Sequence, residues 1–297
     1  MTSAPHLPQT GFERLVVVME RLRAAEGGCP WDREQTLASL RTYLVEESYE
    51  LLDAMDALGQ ASKALPPDLP WQGPQDEREA LAFARKVELF REELGDVLLQ
   101  IAFQSQIAKE AGWFDAQDVA RGIADKMIRR HPHVFQGVGD PDLRPAEIVT
   151  QWEQIKRREG KGALDGVPRN LPSLLRAQRI GEKAGRIGLD WPGPDAVLDK
   201  VDEELAELRA AMASGDEQAM ADELGDVLFA LSSLARHLGV DAEQGLRGTL
   251  DRFTRRFKHV EHALEAQHGR EYRADLDELD ALWQQAKAAE RSDEPTR

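Results

Sequence analysis

Residues 203–228 read EELAELRAAMASGDEQAMADELGDVL, and this stretch decides the fold. Helical periodicity covers 195–213 and resumes over 217–238, with a short Ser-Gly-Asp break between. So short a connection makes the two helices antiparallel neighbours. Glu204 and Glu207 are three apart and project from nearly one face of the first helix. Glu223 and Asp226 repeat that geometry on the second. Four carboxylates can therefore converge between the helices, which is costly because like charges held close cannot all ionise cheaply. A hard divalent cation resolves the conflict. Mg²⁺ takes oxygen ligands and keeps waters that a phosphate can displace, and Mn²⁺ has similar preferences.

A lone EExxE on a helix is ordinarily a solvated face, and an ExxD alone is no more specific. Here the pair occurs twice. Glu46-Glu47-Ser48-Tyr49-Glu50 is followed by Glu93-Leu94-Gly95-Asp96-Val97-Leu98, just as Glu203-Glu204-Leu205-Ala206-Glu207 is followed by Glu223-Leu224-Gly225-Asp226-Val227-Leu228. A third match sets Arg129-Arg130-His131-Pro132-His133-Val134 against Arg255-Arg256-Phe257-Lys258-His259-Val260. The order is shared but the spacing is not: 42 residues separate Glu50 from Glu93, and 15 separate Glu207 from Glu223. The chain is thus two related helical units, the first carrying an insertion over about 59–85. Gly95 and Gly225 lie inside helical patterns, where Gly costs about 1 kcal/mol against Ala. Chance is one explanation, and a close helix approach beside the acids is the sharper one.

Outside the hairpins the pattern stays helical. Helices are expected over 39–58, 79–110, 117–130, 146–158, 172–187, 241–264 and 275–291, and no stretch alternates as a strand does. Residues 59–76 hold four prolines and read as an extended surface loop. The first unit spans 12–158, a linker covers 159–172, the second unit spans 173–291, and 292–297 form a flexible tail. The expected fold class is all-α.

Composition narrows the function. The 297 residues carry 54 acids against 38 Lys plus Arg, a formal net charge of −16. That balance argues against a nucleic-acid polymer as partner, which requires a basic footprint. It leaves room for a small phosphorylated ligand held through a metal ion. Cys29 is the sole cysteine, so no intramolecular disulfide can form, and neither zinc nor a thiol nucleophile is supported. No N-terminal signal pattern is present, and apolar runs such as Leu15 to Met19 are too short for a bilayer. A cytoplasmic protein without membrane association is expected. His131, His133, His259 and His262 read as capping or surface groups. No P-loop or GxGxxG pattern occurs.

Charge is also segregated. Between Pro194 and Asp226 there are 11 acids and 2 bases, while RFTRRFK at 252–258 has 4 bases and no acid. On a helix Arg252, Arg255 and Arg256 share a face and offer planar bidentate donors to phosphate oxygens. The plainer alternative is a helix laced with ion pairs to neighbouring acids.

With these residues in place the chain resembles the MazG family of nucleoside triphosphate pyrophosphohydrolases, in its two-repeat bacterial form. The paired EExxE…ExxD motifs carry the resemblance, with GCPWD at 28–32, RRHPHVF at 129–135, TQWEQIK at 150–156 and GLDWP at 188–192. It extends over about residues 12–290. It implies four-helix-type bundles completed in a homodimer. It also implies Mg²⁺-dependent hydrolysis of nucleoside triphosphates to the monophosphate and pyrophosphate, with activity in the second repeat. Carried over, the metal ligands are Glu204, Glu207, Glu223 and Asp226, with Glu47, Glu50, Glu93 and Asp96 as first-repeat equivalents. Lys200, Glu203 and Trp283 match positions near the nucleotide, and Arg252, Arg255 and Arg256 match the phosphate-holding stretch. Glu203 or Glu204 is the candidate base that takes a proton from the attacking water. The long first-repeat gap departs from the family's spacing, so turnover is expected in the second repeat rather than the first.

Two other classes compete. A non-catalytic acidic helical interaction or regulatory module predicts neither metal nor nucleotide binding. A di-iron bundle needs two Glu-x-x-His pairs, and Glu265-x-x-His268 stands alone.

Overall fold

A computed structural model describes residues 10–62, 76–135, 162–269 and 274–293, together with Gly137, Arg144, Ile148, Trp152 and Gly160. The chain divides into two compact units, Met1–Asp142 and Leu143–Arg297. Among the described residues the regular structure is helical, with no strand, as the periodicity predicts.

The first unit contains α1 (Gly11–Leu22), α2 (Pro30–Glu34), α3 (Leu40–Ser62), α4 (Glu77–Glu110), α5 (Ala116–Arg130) and α6 (Pro132–Phe135). Asp76 caps α4 by accepting from the Arg78 and Glu79 amides, and Asp115 with Asp118 forms a capping box on α5. The extensive pairing is α3 with α4, and α1 and α5 lie on α4. Met19, Leu40, Ala102 and Phe103 form the buried cluster, flanked by Leu15, Leu22, Leu99 and Ile107. Within the run Leu15–Met19, too short for a membrane, Leu15 and Met19 lie one helical turn apart and pack into this cluster.

The GCPWD motif is explained by packing. A Cβ at Gly28 would lie 2.3 Å from the Ala24 carbonyl oxygen, so only glycine fits. Arg23 donates to both Glu110 oxygens, at 2.9 Å and 2.7 Å, and to the carbonyls of Asp32 and Gln35. Its guanidinium lies 5.5 Å from the Phe103 ring centroid. One arginine thus ties the end of α1 and the turn after α2 to the end of α4.

The second unit contains α7 (Ser173–Gly185), α8 (Pro194–Ser214), α9 (Glu217–His237), α10 (Ala242–His268) and α11 (Leu276–Asp293). Gly215 takes a left-handed φ of 74°, and Asp216 accepts from the Gln218 and Ala219 amides, so two residues reverse the chain between α8 and α9. Those two helices form the unit's most extensive contact. α7 packs on α9 and α10, and α10 pairs with α11. Gln178 on α7 donates to the Val240 carbonyl at 2.8 Å and accepts from the Ala242 amide at 2.9 Å, holding the turn between α9 and α10.

The GLDWP motif forms a lock. Asp190 accepts from Arg236 Nη1 at 2.8 Å and Nη2 at 2.5 Å, and His237 Nε2 lies 3.1 Å away. Arg236 holds the Asp190 carboxyl down at about 2, against an ordinary 3.8, with help from His237 and the Trp191 amide. Gly185 makes room: a Cβ there would stand 2.6 Å from Asp190 Oδ2.

The expected loop over 59–76 begins later, since α3 runs to Ser62 and α4 starts at Glu77; residues 63–75 lie outside the described residues. So does the expected helix at 146–158, apart from Ile148 and Trp152, which are helical. α11 continues to Asp293, and the rest of the tail lies outside the description. The close-approach reading of the two motif glycines needs correction. A Cβ at Gly95 or Gly225 would meet nothing within 4 Å, so no crowding inside the protomer requires glycine there.

Both hairpins leave apolar rows exposed. Leu94, Leu98 and Ile101 on α4 are matched in the repeat by Leu224, Leu228 and Leu231 on α9. No described helix is long and apolar enough to cross a membrane.

Candidate functional site

The α8–α9 hairpin places Glu204, Glu207 and Glu223 together. One carboxylate oxygen from each lies within 4.8 Å of the others, with Glu204 buried, Glu223 half-buried and Glu207 exposed. Helical spacing puts Glu204 and Glu207 on one face, and the two-residue reversal brings Glu223 opposite. Loss of hydration raises the Glu207 carboxyl above the usual range, and the charges of Glu204 and Glu223 add to it.

The first repeat builds a related centre on α3 and α4. Glu47, Glu93 and Asp96, all half-buried, have oxygens within 4.8 Å of one another. Glu47 is raised by burial, then by Asp96, Glu50, Glu93 and Glu46. Glu93 is raised by desolvation, then by Glu50, Asp96 and Glu92. Glu50 and Asp226 lie outside these two groups, both exposed on the flanking turns. Each cluster offers three hard oxygen donors whose mutual repulsion a cation would relieve, so each fits a divalent metal ion.

The clusters differ in membership, Asp96 completing one and Glu207 the other, and they differ again one turn upstream. Aligning Glu46-Glu47 with Glu203-Glu204 sets Tyr43 against Lys200. Lys200 Nζ lies 2.8 Å from Glu204 and 2.9 Å from Glu203. These bonds, Glu204 first, hold the ammonium well above the usual lysine range. Tyr43 instead packs edge-on against Trp31, ring centroids 5.8 Å apart.

The basic and aromatic side chains sit on α10 and α11. Phe253 stacks with Phe257 at 6.2 Å and lies 5.0 Å from Trp283. The Arg256 guanidinium is 5.9 Å from the Trp283 ring and bonds Glu290 at 2.7 Å. Glu290 also faces Arg255 at 3.5 Å, and its carboxyl is lowered chiefly by the Arg256 hydrogen bond. Arg252 donates to Thr249 Oγ1 at 2.9 Å. The described partners of these arginines are thus Thr249 and Glu290, not the carboxylates of α8 and α9.

Three contacts escape the paired acidic motifs. Glu290 lies 34 residues from Arg256 and belongs to no motif. Asp190 and Arg236 are 46 apart, and only GLDWP hints at them. Tyr43 becomes visible only when the repeats are set in register.

The fold and site define an all-α protein with two carboxylate-lined helical hairpins, the second followed by an arginine and aromatic pair of helices. The chain belongs to the MazG family: the model of the MazG nucleotide pyrophosphohydrolase domain matches residues 35–135 and 193–261. Both matched segments contain one acidic centre. The chain is 39% identical over 287 residues to the nucleoside triphosphate pyrophosphohydrolase of Escherichia coli strain K12, covering 94% of this chain and 98% of that protein. It is also 39% identical over 283 residues to the nucleoside triphosphate pyrophosphohydrolase/pyrophosphatase MazG of Thermotoga maritima, covering 94% and 96%. A 35% match over 285 residues to the uncharacterized protein YabN of Bacillus subtilis covers 94% of this chain and 52% of that one.

Proposed function

We propose that this protein hydrolyses nucleoside triphosphates to the monophosphate and pyrophosphate in the cytoplasm, mainly in its second repeat. The observation that carries this reading is the convergence of Glu204, Glu207 and Glu223 in the repeat that also supplies Lys200, the arginines and Trp283. Glu204, Glu207, Glu223 and Asp226 would hold Mg²⁺, with Mn²⁺ as a substitute, and Glu47, Glu50, Glu93 and Asp96 would hold it in the first repeat. A bound divalent ion lowers the pKa of water and offsets charge on phosphoryl oxygens.

The chain's own groups supply the rest. Glu203 or Glu204 takes the proton of the water that attacks the α-phosphorus, the α–β phosphoanhydride bond breaks, and pyrophosphate leaves. Lys200, Arg252, Arg255 and Arg256 face the β- and γ-phosphates, the last two exchanging Glu290 for phosphate oxygens. Trp283 offers a ring face beside the base. Incubation with ATP and Mg²⁺ is expected to yield AMP and pyrophosphate. ADP and orthophosphate would place the cleavage elsewhere and overturn the reading.

We propose a homodimer that covers the exposed apolar rows. Leu224, Leu228 and Leu231 are 50%, 46% and 43% exposed, and such rows call for a partner. No basic footprint invites a nucleic-acid polymer. In light-scattering chromatography the protein is expected at twice its 33.2 kDa chain mass. Leu228→Asp is expected to shift it toward the monomer. A parent that runs as a monomer would remove the dimer.

A further inference from the structure

The two acidic centres differ in what neutralises them before any metal ion arrives. In the second, Lys200 Nζ sits 2.8 Å from Glu204, whose side chain is only 9% exposed, and 2.9 Å from Glu203. Lys200 lies one helical turn before Glu204 on the same face of α8, so its reach to that carboxylate is built into the helix. The first centre has no lysine there: Tyr43 fills the position and turns to Trp31. Its carboxylates therefore face one another without a resident cation from that turn.

Resting on the metal reading of Glu204, Glu207 and Glu223 above, we propose that Lys200 is a resident counter-cation. It holds Glu204 in the metal-free protein and leaves it when a divalent ion is taken up. A carboxylate bonded to an ammonium offers that oxygen to a metal only after the bond breaks, and two cations sharing one carboxylate repel. The released ammonium, on a flexible four-carbon stem, is then free for a phosphate oxygen. Metal uptake at the second centre is accordingly weak in the absence of nucleotide and strengthened by it. The first centre takes up its ion without this competitor.

Mn²⁺ titration calorimetry on the full chain, without nucleotide, tests this. In a Glu47→Gln/Glu93→Gln background that isolates the second centre, Lys200→Met is expected to tighten Mn²⁺ binding on the order of five- to tenfold, the range that releasing one partly exposed ion pair supports. Lys200→Arg keeps the charge and is expected to stay near the parent. Conversely, with Glu204→Gln/Glu207→Gln isolating the first centre, Tyr43→Lys is expected to weaken Mn²⁺ binding by a similar factor. Unchanged or weaker binding in Lys200→Met overturns the proposal, and so does an indifferent Tyr43→Lys. Mn²⁺ binding in the first background that Glu207→Gln leaves undiminished instead removes the metal reading, and the proposal with it. Unchanged helical circular dichroism separates these results from misfolding.

Discussion

Glu207→Gln is expected to lower ATP turnover on the order of 10²–10³-fold, the loss typical when a group serving transition-state charge is removed. Glu207 shares the second centre with Glu204 and Glu223, oxygens within 4.8 Å of one another. It is also the member whose carboxyl is raised by desolvation and then by the neighbouring charges. A neutral amide keeps the shape but removes one of three charges that a divalent ion needs. Excess Mg²⁺ should therefore recover part of the rate, and the metal-induced rise in melting temperature should shrink. Metal at a hundred times its dissociation constant stabilises a folded protein by about 2.7 kcal/mol, so the loss is measurable. The matched change in the first repeat, Glu50→Gln, is expected to leave turnover near that of the parent. Both variants assayed across a panel of triphosphates decide the matter. A larger loss from Glu50→Gln would move the activity to the first repeat.

Asp190→Asn is expected to cost about 2 kcal/mol of stability at pH 7, in the range for a hydrogen bond to a charged group. The asparagine removes the charge facing Arg236, whose side chain is only 15% exposed. The pH dependence follows from the lowered carboxyl, at about 2 in the fold against an ordinary 3.8. The ionised form is the one the fold favours, so the contribution is fully present above about pH 4. It is lost as pH falls from there toward 2. Urea denaturation of parent and variant should show a gap at pH 7 that closes toward pH 2. An equal gap at both pH values would mean that shape, not charge, carries the interaction. Gly185→Ala should fall on the same side, because its new Cβ would stand 2.6 Å from an Asp190 oxygen that Arg236 holds in place.

Much of this site was legible because its parts are local. Glu204 and Glu207 face the same way because a helix turns every 3.6 residues. Glu223 comes opposite because two residues, Gly215 and Asp216, suffice to reverse and recap the chain. The repetition of both motifs separated this arrangement from an ordinary solvated face. Less legible was which members meet: all eight acids share the spacing, yet Glu50 and Asp226 stand apart from the two close groups. Where each side chain comes to lie between the packed helices settles that, and spacing alone cannot encode it.

The amino-acid sequence by itself determined an all-helical, twice-repeated chain, its helical hairpins and the placing of acids and arginines on particular faces. All of these follow from backbone periodicity and from residues within one or two turns of each other. Only the tertiary structure decided that Glu290 holds Arg255 and Arg256, that Asp190 locks Arg236, and that Arg23 joins α1 to Glu110 across 87 positions. It also showed that Lys200 reaches both Glu203 and Glu204. These choices depend on how helices pack and which rotamers the packing leaves open. They are set by distances in space that the chain's own periodicity does not contain.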